Sequence, residues 1–153
     1  MNVELKSDYV LRPMQEEDLD DIMQIEPSIY LHPWTRGNFN DSLKAGHKAW
    51  VTTLEGTIIG YTLMMLVLDE AHLLNISVAA PYQKQGLGRV LLTHMIERAK
   101  ESGVLNMFLE VRSSNVSAIT LYEKMGFVET SGRRGYYPAK DGREDAVLMG
   151  LGI

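Results

Sequence analysis

A glycine-rich turn between a strand and a helix constrains this chain more than any other feature of its sequence. In QKQGLGRVLL (Gln83 to Leu92), two glycines stand one residue apart. The apolar and β-branched run HLLNISVAAPYQ precedes them and predicts a strand, and apolar residues from Leu91 to Ala99 follow at helical spacing. A strand that leads through a short turn into an amphipathic helix is typical of α/β folds, in which the helix packs on the sheet.

The remaining elements extend this pattern in the order β-α-α-β-β-β-α-β-α-β-β. Pro27 is expected to end or bend the first helix, and Thr35 to cap the second. Turn residues at Glu55-Gly56 and Asp69-Glu70 divide the next apolar region into three antiparallel strands. The sequence therefore predicts a mixed, mostly antiparallel sheet flanked by about four helices.

The C-terminal region is expected to hold two short strands, FVETSG and DAVLMGL, joined by RRGYYPAKDGRE as a long turn-rich loop. Repeats and linkers are lacking, so residues 1–153 are expected to form a single domain. The net charge of −5 gives no basic field for nucleic acid, and no apolar run is long enough to span a bilayer. The absence of cysteine excludes thiolate chemistry and disulfides. We expect a cytoplasmic monomer.

The glycine loop is a candidate anion cradle. Gly86 and Gly88 can both adopt positive φ angles, and backbone N–H groups at the start of a helix attract phosphate. The spacing does not fit a Walker A loop, and Leu91 stands where a dinucleotide fingerprint needs its third small residue. An ordinary strand-to-helix turn remains the alternative.

Two further side chains are candidates for proton transfer. Glu110 lies late in the strand NMFLEV among apolar residues, where desolvation raises a carboxylate pKa, or else it faces solvent or pairs with Arg112. Tyr122 continues the apolar face of the helix in SNVSAITLYEKMGF, so it is either a core aromatic, a proton donor, or both. Asn115 is placed to cap that helix. The histidines lack metal-ligand spacing, although His72 is a candidate for the lining of an acceptor cleft.

Two motifs together resemble the GNAT (Gcn5-related) N-acetyltransferases. Gln83 to Gly88 matches the family's Q/R-x-x-G-x-G/A segment, and SNVSAITLYEKMGF is similar to its N-x-x-A-x-x-x-Y-x-x-x-G-F signature. HPWTRGNF, DEAHLLNISV, LEVRSSN and YYPAKDGREDAVLM resemble one branch, the bacterial ribosomal-protein-alanine N-acetyltransferases. The element order resembles the GNAT acyl-CoA N-acyltransferase fold across nearly the whole chain.

This resemblance implies acetyl-CoA as the donor, no metal, Glu110 as general base and Tyr122 as general acid. It also implies donor contacts from the loop, from the strand before it and from the cap of the last helix: Ile76, Ser77, Val78, Lys84, Gln85, Gly86, Leu87, Gly88, Arg89 and Asn115.

The acceptor implied by the branch is the N-terminal alanine of a small-subunit ribosomal protein. Trp34, Tyr136 and Tyr137 are candidates for the walls that hold a peptide terminus, or else they pack under a loop. Alternatives are another amine as acceptor, such as a different protein terminus, a lysine or a small molecule, and a non-catalytic acyl-CoA sensor. Retention of both Glu110 and Tyr122 argues against the sensor.

Overall fold

The computed structural model describes residues 9–139 and 142–153, with side chains described for 9–131 and 142–153. Within these residues the chain forms seven strands and four α-helices in the predicted order. The elements are β1 Tyr9–Pro13, α1 Leu19–Ile29, α2 Arg36–Lys44, β2 Lys48–Leu54, β3 Thr57–Val67, β4 Glu70–Val78, α3 Leu87–Glu101, β5 Asn106–Arg112, α4 Val116–Lys124, β6 Val128–Ala139 and β7 Gly142–Gly152.

All seven described strands form one sheet in the order β1-β2-β3-β4-β5-β7-β6. The β4–β5 pair is parallel, and the other described pairs are antiparallel. Parallel neighbours need a crossover connection, and α3 supplies it here. The predicted mixed, mostly antiparallel sheet with four helices is confirmed.

Two apolar cores cover opposite faces of this sheet. Neighbouring strand residues point to opposite faces, and accordingly Leu63 belongs to one core and Met64 to the other. The Leu63 side packs against α1 and α2, and the Met64 side packs against α3 and α4. The helices therefore hold both faces of β3 and β4, the strands that lead into the glycine loop.

The predicted strands β2 to β4 are confirmed, with the second turn at residues 68–69, one residue earlier than expected. Thr35 caps α2 as predicted, since its hydroxyl accepts a hydrogen bond from the Asn38 N–H at 3.1 Å. Of the two outcomes expected at Pro27, an end to the helix is excluded, because α1 continues to Ile29.

The predicted long loop near the C-terminus is also wrong. Strands β6 and β7 form a long antiparallel hairpin that pairs as far as Ala139 and Gly142. Pro138 is part of β6, which lies at the edge of the sheet. Proline is tolerated in an edge strand because one side of that strand has no neighbour to receive its missing N–H bond.

Candidate active site

The sheet opens between β4 and β5. Their parallel pairing begins at Glu70 and Asn106 and ends at Leu73 and Leu109. At the same point the register of β4 against β3 shifts so that Leu74 is an extra residue, a β-bulge. Bulges bend a strand and redirect its side chains, so β4 turns away from β5 and a cleft forms between the two strands.

This cleft contains a cavity of about 480 Å³. We call it the donor cavity, after the acetyl donor that the sequence resemblance predicts for this region. It is lined by the ends of β4 and β5, by α1 and the segment after it, by the first turn of α3 and by the first two turns of α4. Predicted site residues that line it are Trp34, Ile76, Val78, Gly88, Glu110, Asn115 and Tyr122.

The glycine loop meets the donor cavity only at Gly88, in the first turn of α3, and the lining does not include the other predicted donor residues Ser77, Lys84, Gln85, Gly86, Leu87 and Arg89. Gly86 has a φ angle of +84°, which places it in the left-handed region that favours glycine. Lys84 also has a positive φ, +61°. The first hydrogen bond of the helix joins the Val90 N–H to the Gly86 carbonyl at 3.2 Å. The backbone N–H groups before Val90 therefore lie in the first helical turn, where the helix itself offers them no carbonyl acceptor.

Gly88 is the second residue of α3 and does not adopt the positive φ that a glycine can take. A Cβ atom at this position would lie 3.5 Å from Leu121 Cδ2 on α4, an ordinary contact distance. Glycine leaves open the cavity space between the starts of the two helices.

Two glutamine side chains fix the shape of the loop. Gln83 Nε2 donates to the Val78 carbonyl at 2.9 Å, and Gln85 Nε2 donates to the Pro81 carbonyl at 3.2 Å. The side chains of Lys84 and Arg89 are exposed beside the helix start, whereas Leu87 is buried. A fixed loop with first-turn amides and two cations can bind a phosphate group.

Glu110 is the first β5 residue beyond the last β4–β5 pair. It is half-buried, and strand alternation places it on the same face as Phe108 and Arg112. Arg112 forms an ion pair with Glu144 on β7, with Nη1 and Oε1 3.3 Å apart. Glu110 therefore stands at the fork of the sheet, in the wall of the cavity.

Tyr122 is both a core aromatic and a cavity residue. Its side chain is only 6% exposed, and its ring lies 5.9 Å from that of Phe127. It lines the donor cavity together with Asn115 of the same motif. Asn115 caps α4 as predicted, because its Oδ1 accepts from the Ala118 N–H at 3.2 Å.

The turn that carries Asn115 is fixed by Glu144 of β7. The Ser114 N–H donates to Glu144 Oε2 at 2.7 Å, and Arg112 reaches the other carboxylate oxygen. Hydrogen bonds from the Ser114 side chain and backbone, followed by the contact with Arg112, lower the pKa of Glu144. The carboxylate therefore remains charged and binds the β5–α4 turn at neutral pH.

A second cavity, of about 660 Å³, lies on the β7 side of the fork. We call it the acceptor cavity, after the acceptor cleft that the sequence analysis predicts beside His72 and Trp34. His72 and Glu70 line it, with Nε2 and Oε1 3.4 Å apart, as expected for residues two apart on one strand. Both cavities share Trp34, Leu73, Leu74, Leu109 and Glu110. Glu110 thus borders both spaces.

Of the three aromatic residues predicted to wall the acceptor, Trp34 is the one whose side chain the structure describes, and it lines both cavities. Tyr136 and Tyr137 belong to β6, and Tyr137 pairs with Glu144. The side chains of these two tyrosines lie outside the described residues.

Sequence reasoning missed one buried group in the donor cavity wall, the carboxylate of Glu26, which is 1% exposed. It accepts from the Tyr61 hydroxyl at 2.7 Å and from the Trp34 N–H at 2.9 Å. A signal was present in the sequence, because Glu26 continues the helical spacing of the buried residues Leu19 and Ile22.

The described part of the chain has no group of side chains arranged to hold a metal ion. None of the described helices is both long and apolar enough to cross a membrane.

The family model for the acetyltransferase (GNAT) family matches residues 18–127. The [ribosomal protein bS18]-alanine N-acetyltransferase of Escherichia coli (strain K12) is 42% identical over 140 residues, which cover 92% of this chain and 95% of that protein. The putative [ribosomal protein bS18]-alanine N-acetyltransferase of Bacillus subtilis (strain 168) is 34% identical over 151 residues, which cover 97% of this chain and 99% of that protein.

Solved structures agree with these sequence matches. The crystal structure of the ribosomal-protein-S18-alanine N-acetyltransferase from Escherichia coli superposes with a TM-score of 0.90, at 41% identity, over 95% of this chain and 94% of that one. Ard1 from Thermoplasma volcanium, at 24% identity, shares the fold with a TM-score of 0.85 over 95% and 98% of the two chains. The chain belongs to the GNAT acetyltransferase family and is an acetyl-transferring enzyme.

Proposed function

We propose that this enzyme transfers the acetyl group of acetyl-CoA to the α-amino group of the N-terminal alanine of ribosomal protein bS18. The observation that carries this proposal is the 42% identity to the Escherichia coli bS18-alanine N-acetyltransferase across nearly the full length of both chains. A ribosomal substrate accords with a single catalytic domain that acts in the cytoplasm, as expected from the sequence.

The donor cavity fits acetyl-CoA in its chemistry. The start of α3, with Gly86 in the left-handed region and Lys84 and Arg89 beside it, suits the pyrophosphate. Residues Ile76 to Val78 of β4 lie beyond the last β5 pair and suit the extended pantetheine arm. Acetyl-CoA supplies a thioester whose acyl carbon accepts an amine.

Glu110 acts as the general base. An α-amino group has a pKa of about 8, so most acceptor molecules are protonated at neutral pH and cannot attack. Glu110 borders both the donor and the acceptor cavity, and it accepts the proton of the ammonium group directly or through one water. The free amine then forms the new C–N bond.

Tyr122 acts as the general acid. A phenol with an ordinary pKa of about 10 holds its proton at neutral pH, and it gives that proton to the sulfur as the C–S bond breaks. Tyr122 projects from α4 into the donor cavity, on the helix that Asn115 caps. The nitrogen loses its second proton as the amide forms, and that proton restores the Tyr122 phenol. The products are the acetylated terminus, free coenzyme A and the one proton that Glu110 passes to solvent, and no further reactant is needed.

The test is acetyl transfer from acetyl-CoA to a peptide that copies the N-terminus of bS18 from the same organism. Two matched controls are that peptide with its α-amine blocked and a scrambled peptide that keeps the terminal alanine. We expect turnover on the authentic peptide to exceed both controls, and to exceed a panel of small amines, by at least tenfold in kcat/KM. Equal rates on the authentic and scrambled peptides would contradict the assignment to bS18.

A further inference from the structure

A network of five buried or half-buried polar side chains forms part of the wall of the donor cavity and extends behind it. Its members come from α1 and the residue after it, from β3 and from β4: Glu26, Tyr30, Tyr61, Asn75 and Ser77. The Glu26 carboxylate is held by neutral donors, since Asn75 Nδ2 approaches it at 3.4 Å in addition to Tyr61 and the Trp34 N–H. A buried carboxylate costs desolvation free energy, so apolar packing would stabilise α1 more simply.

On one side of this network, a closed cycle of contacts begins and ends at Trp34. The Trp34 ring lies 5.0 Å from the ring of Phe39, and Phe39 lies 5.8 Å from the ring of Tyr61. The Tyr61 hydroxyl binds Glu26, and Glu26 binds the Trp34 N–H. Burial and the hydrogen bond to Glu26 raise the pKa of Tyr61, so its hydroxyl keeps the proton that it donates. Trp34 is therefore fixed through its backbone and its ring.

The other side of the network reaches the unpaired end of β4. Ser77 Oγ donates to Asn75 Oδ1 at 2.6 Å, so the Tyr30 hydroxyl is the donor in its 2.7 Å contact with Ser77 Oγ. The Ile76 carbonyl, at 3.0 Å, is a second acceptor for the same Tyr30 proton. Burial is the main cause that raises the pKa of Tyr30, so it remains a donor. The residue after α1 is thus bound to the β4 segment that follows the bulge.

We propose that Glu26 is a positioning residue that aligns the acceptor with the donor. It couples Trp34, which borders both cavities, to the β4 segment 75–77 beside the donor cavity. The identity of the acceptor in this inference rests on the proposed function. Because Glu26 acts through Trp34, its loss should weaken productive binding of the acceptor more than binding of acetyl-CoA.

The variant Glu26→Gln keeps the shape of the side chain but replaces one acceptor oxygen with a donor, so Tyr61 or the Trp34 N–H loses its partner. Asp18→Asn is the matched control. Asp18 is also a buried carboxylate near α1, but it binds Arg12 at 2.7 Å and lines neither cavity. Both variants remove a buried charge from the same region. Glu26→Asp, which keeps the charge on a shorter side chain, is the second variant if Glu26→Gln does not fold.

Steady-state assays should show that Glu26→Gln raises the KM of the bS18 peptide at least fivefold, with the KM of acetyl-CoA within twofold of the unchanged enzyme. Asp18→Asn should lower Tm and leave both KM values within twofold. In a Trp50→Phe background, which leaves Trp34 as the single tryptophan, Glu26→Gln should also increase acrylamide quenching of Trp34 fluorescence.

The inference is overturned if Glu26→Gln lowers Tm but leaves the peptide KM and the Trp34 quenching equal to those of Asp18→Asn. Failure of the proposed function is a separate result, because it would appear as poor acetylation of the bS18 peptide by the unchanged enzyme. The Trp34 quenching comparison needs no acceptor and still tests the coupling in that case.

Discussion

Leu73 and Leu109 form the last pair between the parallel strands β4 and β5, and the sheet divides immediately after them. Glu110 follows Leu109, and the bulge residue Leu74 follows Leu73. The division exposes the end of β4 to one cavity and places a carboxylate between two cavities. A strand bulge that would cost pairing free energy elsewhere thus opens the sheet at the point where the two cavities share lining residues.

We expect Glu110→Gln to reduce kcat by about 10² to 10⁴-fold, the usual contribution of a general base, with little effect on the KM of acetyl-CoA. The loss should be largest at low pH and should diminish as pH rises above about 8, where the α-amine becomes neutral without assistance. The measurement is the pH profile of kcat from pH 6 to 9.5.

Glu97→Gln provides the control for Glu110→Gln, since Glu97 is an exposed carboxylate on α3 that borders neither cavity. Its profile should superpose on that of the unchanged enzyme. A Glu110→Gln profile that also superposes, under conditions in which chemistry limits the rate, would exclude Glu110 as the base.

We expect Tyr122→Phe to slow the chemical step by about 10²-fold or more, because phenylalanine cannot protonate the departing sulfur. The ring and its packing on Phe127 are retained, so Tm and the Kd of acetyl-CoA should change little. Single-turnover kinetics separate this step from product release. An unchanged single-turnover rate would assign the proton to another donor.

The glycine loop can be tested with a pair of substitutions at opposite ends of the same helix. Gly86 precedes α3 and Gly103 follows it, with φ angles of +84° and +80°. Alanine in the left-handed region costs roughly 1–2 kcal/mol at either position. Only Gly86→Ala should also weaken coenzyme A binding, by about tenfold, because only Gly86 shapes the turn that presents the first-turn amides.

Isothermal titration with coenzyme A measures this difference, and thermal unfolding confirms that the two variants lose similar stability. A Cβ at Gly103 meets no heavy atom within 4 Å, so strain in the backbone is the whole effect there. Equal coenzyme A affinities for Gly86→Ala and Gly103→Ala would contradict a role for the glycine loop in binding the donor.

The sequence allowed prediction of features that depend on local pattern. The left-handed Gly86, the caps Thr35 and Asn115 and the crossover helix all follow from residue type and spacing. The β6–β7 hairpin could not be predicted in this way, because whether Pro138 ends a strand depends on whether that strand lies at the sheet edge.

Features that depend on distant contacts were also missed. Gly60 carries no local signal, yet a Cβ there would lie 3.1 Å from the Ser77 carbonyl oxygen and 3.2 Å from Leu91 on α3. Its importance comes from the close approach of α3 to the sheet. Glu26 is similar, since its partners Tyr61 and Asn75 are 35 and 49 residues away in sequence.

Stability should depend on pH through His94, which lies on α3 away from both cavities. Its ring packs against Trp50 with centroids 4.3 Å apart, and its Nε2 atom is buried without a hydrogen-bond partner among the described residues. Burial, followed by the charge of Arg98, lowers the pKa of His94, while Glu101 acts weakly in the opposite direction.

A lowered pKa in the folded protein means that the unfolded chain binds a proton first as pH decreases. The free energy of unfolding is therefore unaffected by His94 well above pH 6.5, and it falls as pH decreases through the ordinary histidine pKa of about 6.5 towards the lower folded value. The Asp18 carboxylate also makes the free energy of unfolding depend on pH, but in a more acidic range. Its pKa is lowered chiefly by its hydrogen bonds with Arg12. Its contribution is present above about pH 4 and is lost below that value.

Urea unfolding at pH 7.5 and 5.5 checks this prediction. The midpoint of the unchanged protein should be lower at pH 5.5, and His94→Gln should reduce that difference, because glutamine does not titrate. His32→Gln, which alters an exposed histidine, should retain the full difference. If His94→Gln and the unchanged protein lose the same stability between the two pH values, protonation of His94 is not the cause.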